Sequence, residues 1–129
     1  MSGKIPNLWP EDFGMSFEVT PKAILQRQAQ VLNERTKNQV QGVVKTRVLG
    51  RDLQHTLSLV TPGLDDFEYV ILRIRHSIGH FYPLKYFITE SDDTGHECED
   101  EQQLYDAIRQ VLQDERTISV VRSLYNQSG

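Results

Sequence analysis

A disulfide framework is the first thing this sequence lacks, since its 129 residues contain one cysteine, Cys98. Without cross-links the chain must stabilise itself by burying a core, and this length suffices for one domain. A lone thiol also suits a reducing compartment better than an oxidising one. Long apolar runs are missing too. No stretch approaches the ~20 residues of a membrane span, and the opening MSGKIPNLWPEDFG has no apolar centre of the signal-peptide kind. The expectation is a cytoplasmic chain with no membrane partner. Five prolines and eight glycines are too few for a low-complexity or collagen-like chain. The 38% hydrophobic and 25% charged residues are ordinary for a globular one.

Motifs for chemistry are equally scarce. There is no G-x-S-x-G, no phosphate-cradling glycine loop and no H-E-x-x-H. Cys98 sits among carboxylates, which disfavour its thiolate and make it a poor nucleophile. The pair Asp65-Asp66 follows Pro62-Gly63, where aspartate serves a turn. The sequence supplies no catalytic residue and calls for no cofactor, so a non-enzymatic role is expected.

Charge of one sign is scarce in one region and absent from another. Between Pro21 and Arg51 stand seven bases (Lys22, Arg27, Arg35, Lys37, Lys45, Arg47, Arg51) against one acid, Glu34. From Glu90 to Glu101 there are seven acids and no base, although the net charge of the whole chain is only −4. Such polarity serves a charged partner, or lets the two regions neutralise each other.

What is present is clear periodicity. Residues 1–19, with the large apolar groups Ile5, Leu8, Trp9, Phe13 and Phe17, read as an irregular arm whose aromatics anchor it to a body spanning 20–129. Thr20 and Pro21 then open a helix as N-cap and first position, with Ile24, Leu25, Ala29 and Leu32 on one side. From Gln39 the period changes to two. QVQGVVKTRVLG, HTLSLVTPG, FEYVILRIRH and HFYPLKYFITE read as four strands of an antiparallel meander. Pro83 lacks an amide donor and places the fourth strand at an edge or a bulge. Asp100 and Gln103 form a variant capping box ahead of Leu104, Ala107, Ile108, Val111 and Leu112. Thr117 caps a short last helix. The fold class is α+β: an N-terminal helix, four strands and two C-terminal helices packed on one face.

Three places invite a ligand. The acidic stretch matches an EF-hand grid at Glu90, Asp92, Thr94, Gly95 and Glu101. It departs from that grid at Glu90, where aspartate is wanted, and at Glu97, where an apolar residue is wanted. It reads as a solvated loop, with a weak divalent-cation site as the alternative. His76 and His80 flank a three-residue turn that leaves it open whether they meet across two strands, while His96 and Cys98 have nothing to hold them nearby; no metal site is assigned. The third place is the sheet face opposite the helices. Strict alternation puts Lys45, Arg47, Tyr69, Ile71, Arg73, Arg75, Phe81, Lys85 and Phe87 there. Of these, Tyr69, Arg73, Arg75, Phe81, Lys85 and Phe87 are the expected partner-binding residues, because arginine and aromatic groups dominate interface energetics.

The segments LWPED, VTPKAILQRQAQVL and DERTISVVRSL resemble a group of short, uncharacterised bacterial proteins. That resemblance implies a bacterial origin and a single full-length domain. It brings no site, cofactor or partner. The expectation is a protein-interaction module (adaptor, immunity-like or chaperone-like) binding a protein or a second copy of itself. Single-stranded nucleic acid on the same face is the alternative, made less favourable by the acidic net charge.

Overall fold

The computed structural model describes residues 3–14 and 18–128. Phe17, one of the arm's expected anchors, lies outside them. The chain forms helix α1 (Pro21–Arg35), strands β1 (Gln41–Leu49), β2 (Asp52–Thr61), β3 (Phe67–Ser77), β4 (Leu84–Ile88) and β5 (His96–Cys98), then helices α2 (Glu101–Leu112) and α3 (Glu115–Ser128). All neighbouring strands are antiparallel and follow chain order, so the sheet is an α+β meander. It has five strands where the sequence led us to expect four. The extra one, β5, is three residues inside the acidic stretch, too short to show an alternation of its own.

Local chemistry explains the helix starts. The Thr20 hydroxyl accepts from the Ala23 amide at 3.0 Å, and Asp100 accepts from Gln103 at 2.9 Å. Gln103 reciprocates one residue early, accepting from the Glu99 amide at 2.7 Å. The last helix is corrected: it starts at Glu115, where Asp114 accepts from the Arg116 amide, and the Thr117 hydroxyl donates instead to the Val111 carbonyl. Pro83 precedes β4 rather than sitting in it, and β4 is interior because β5 pairs beyond it.

All three helices share one side of the sheet. Ile24, Leu25 and Ala29 of α1 join Leu104, Ala107, Ile108 and Val111 of α2 and Leu124 of α3 in one core with Leu57, Leu59, Leu72 and Ile74. The sheet departs from strict alternation at one point. Leu57 pairs with Leu72 but Ser58 pairs with Val70, leaving Ile71 as the extra residue of a β-bulge. One extra residue inverts the faces on its N-terminal side. Tyr69 therefore shares the helix side with its partner Leu59, and Ile71 is 3% exposed in the core. Val70, which strict alternation would set opposite Tyr69 and Ile71 on the helix side, belongs to the outer face.

The arm also differs from expectation. Trp9 and Phe13 are 72 and 57% exposed, so they do not anchor it to the body, and Ile5 and Leu8 are exposed as well. Trp9 and Phe13 meet each other, with ring centroids 5.6 Å apart. Cys98, in contrast, is fully buried. Burial, reinforced by Asp100, pushes its thiol up to about 11. A thiol reagent at neutral pH is expected to label native protein only as fast as the fold opens, and quickly in denaturant. Rapid labelling of the native form would contradict this placement.

Candidate functional site

Cross-strand register builds the outer face in rows. Arg47 pairs with Gln54, Gln54 with Arg75, Arg75 with Lys85, and Lys85 with Glu97. One row thus crosses all five strands. The next row runs Lys45, Thr56, Arg73, Phe87. At ~4.8 Å per strand, Arg47 and Lys85 stand about 14 Å apart.

Several of these groups are already engaged. Arg73 turns its guanidinium towards the loop after β4, donating to the carbonyls of Thr89 (3.0 Å), Glu90 (3.5 Å) and Asp92. It also lies over the Phe87 ring, 4.9 Å from the centroid. The same ring meets Gly95, where an added Cβ would stand 2.7 Å from it. Gly95 has φ +75°, a conformation that glycine adopts without strain. Arg73 and Phe87 are therefore occupied in fastening the acidic loop to the sheet, and they do so through its backbone rather than its carboxylates. Arg75 pairs with Asp52 at 2.8 Å. Lys45 reaches across β2 to Glu68 at 3.2 Å, passing over Ser58, which is 1% exposed. Arg47 and Lys85 are exposed and make no ion pair among the described residues. Beside Lys85 opens a cavity of ≈ 420 Å3 lined by Arg75, Phe87, Asp52, Asp93, Thr94 and Glu97.

The loop itself is held by Asp92. One carboxylate oxygen accepts from the Ile88 amide (3.0 Å) and the other from Thr94 (3.2 Å) and Gly95 (3.3 Å). The Ile88 amide, helped by those of Gly95 and Thr94, holds the Asp92 carboxyl down at about 2. Glu101, the last position of the EF-hand grid, is the first residue of α2, and its carboxylate accepts from the Tyr105 hydroxyl at 3.5 Å. Among the described residues no three acid, histidine or cysteine groups converge as metal ligands. No helix of the described residues is long and apolar enough to cross a membrane.

Four expected contact residues, Arg73, Arg75, Lys85 and Phe87, stand together on this face. Tyr69 and Phe81 do not. Tyr69 lines a cavity under α2 with Tyr86 and Val111, because the bulge turns it inward. Phe81 lies in the connection between β3 and β4 and packs edge-on against His76 at 5.5 Å, on the helix side. No family model, no curated protein and no solved structure matches the chain.

Sequence reading missed a buried histidine pair. His55 on β2 and His76 on β3, each 4% exposed, bring their Nε2 atoms to 2.9 Å. The Ser77 carbonyl, 2.7 Å from His76 Nδ1, can only accept, which fixes the proton on that nitrogen. In the neutral chain His55 Nε2–H then donates to His76, and the Thr46 hydroxyl donates to His55 Nδ1 at 2.9 Å. His80 is exposed, whereas His76 is buried and meets His55 and Phe81. A signal existed: His55 is in phase with Leu57 and Leu59, and His76 with Leu72 and Ile74.

Proposed function

We propose that this chain is a non-catalytic protein-binding module whose outer sheet face receives an acidic segment of a partner protein. One observation carries the reading. Among the described residues every helix packs on the same side, so no helix covers the outer face, which carries five bases in two adjacent rows. Three of those bases have internal partners, which leaves Arg47 and Lys85 as the groups available to a carboxylate outside the chain. Half-buried Val43 and Val70 lie on the same face as an apolar floor. Carboxylates about 14 Å apart on one extended segment match the row's span. The neighbouring acids, Asp52 and Glu97 among them, disfavour a uniformly anionic ligand such as a nucleic-acid strand.

The test is affinity capture from source cells with wild type and with Arg47→Glu, Lys85→Glu. Both side chains are exposed, so the double variant should keep its circular dichroism and melting temperature. A protein partner recovered by wild type and lost by the variant is the expected result. Nucleic acid recovered instead, with affinity falling steeply as salt rises, would replace the protein reading with the alternative. Equal recovery by both forms would move the interface off this face.

A further inference from the structure

On the opposite side of the molecule, α1 and α3 do not close over each other. Leu32, Leu112, Ile118, Val121 and Tyr125 line a groove between them with a volume of ≈ 420 Å3. A second cavity of ≈ 310 Å3 shares Leu32, Arg35, Leu112 and Val121 with it and continues down to Leu57, Leu59 and Ile71 of the sheet. Ile118 and Tyr125 on its lip are 42 and 44% exposed. The charged residues lining the outer groove are both arginines, Arg35 and Arg122, exposed and without ion-pair partners among the described residues.

The arm has the converse chemistry. Trp9 and Phe13 bracket Glu11 and Asp12, and all four are exposed. Trp9 and Phe13 form a small pair of their own, and among the described residues neither belongs to the core cluster. Large exposed apolar groups on a segment of this kind usually mark a binding element, and a groove that is apolar in its bed and basic on its rim fits it.

We propose that two copies of this chain exchange arms. Trp9 and Phe13 of each enter the groove between α1 and α3 of the other, and Glu11 and Asp12 face its Arg35 and Arg122. The exchange is reciprocal, so a two-fold dimer forms both contacts at once and closes on itself. It leaves the outer sheet face open, and its test is separate from that of the partner reading.

Trp9 is the only tryptophan, so its emission reports arm burial directly. Sedimentation velocity and fluorescence of the full chain over a concentration series are expected to show a dimer whose formation shifts Trp9 emission to the blue. Glu11→Lys with Asp12→Lys makes arm and groove both basic. Arg35→Glu with Arg122→Glu makes both acidic. Each variant alone should dimerise at least about tenfold more weakly than wild type, as reversing exposed charge pairs implies. Mixed in equal amounts they should recover the dimer, because arms and grooves of opposite charge are then both present. A mixture that stays monomeric, a wild type that stays monomeric, or a blue shift independent of concentration, as an arm in its own groove would give, each overturns the proposal. Residual structure is checked by melting both variants, whose altered side chains are all exposed.

Discussion

Gly42→Ala is expected to destabilise the fold by about 1–3 kcal/mol, the usual cost of forcing atoms into a filled space. Gly42 lies on β1 under α1. A Cβ there would stand 2.6 Å from the Ala29 Cα and 2.8 Å from its Cβ, so helix backbone would have to move. The helix is poorly placed to do so. The Gly42 amide donates to the Asn33 side chain at 2.7 Å, and the Thr36 hydroxyl at the helix end donates to the Val40 carbonyl at 2.8 Å. Lifting α1 away would stretch both bonds and expose Ile24 and Leu25, now 4 and 0% exposed. Urea unfolding should show a lower midpoint with an unchanged slope. Adding Ala29→Gly should recover only part of the loss. It removes the clash with the Ala29 methyl, leaves the closer clash with the helix backbone, and adds the ~1 kcal/mol cost of glycine inside a helix. An unchanged midpoint for Gly42→Ala would mean that α1 does not rest on β1 as described.

The second large effect is a loss of stability in mild acid through His55. Burial, then His76 and then Lys22, lower its pKa from 6.5 to about 4. The sign follows from linkage. Between those values the unfolded chain takes up a proton at His55 that the folded chain does not, so unfolding gains from each added proton. The contribution of neutral His55 is complete above pH 6.5, declines as pH falls, and is exhausted near pH 4. The shift corresponds to about 3 kcal/mol at most. Asp92, held down at about 2, loses its native interactions only at lower pH, which separates the two effects. Urea midpoints measured from pH 7.5 to 4 should fall for wild type. His55→Gln, less stable at pH 7, should show a markedly shallower fall over the same range. Parallel pH dependences would remove His55 as the cause.

The candidate site was legible in the sequence for β4 and the C-terminal part of β3. There Arg73, Arg75, Lys85 and Phe87 alternate cleanly with Leu72, Ile74, Leu84 and Tyr86, and register follows from which residues are apolar. Legibility ends before the bulge. FEYVILRI is apolar in both phases, so nothing local says that Ile71 is extra, and strict alternation puts Tyr69 on the wrong face. The inward turn of Phe81 escapes for another reason: the β3–β4 connection spans six residues, 78–83, rather than the short turn expected.

By itself the sequence determined the element types and their order, because helical and two-residue periods are properties of neighbouring residues. It determined two helix caps, at Thr20 and Asp100, for the same reason. Tertiary structure decided which charges are used up. Arg73 is occupied by carbonyls sixteen or more positions away, Arg75 by Asp52 and Lys45 by Glu68, while Arg47 and Lys85 have no ion-pair partner among the described residues. It also decided that His55 meets His76 and that a groove remains between α1 and α3. These outcomes depend on groups brought together by strand register and helix packing, and such meetings of distant positions leave no periodic trace along the chain.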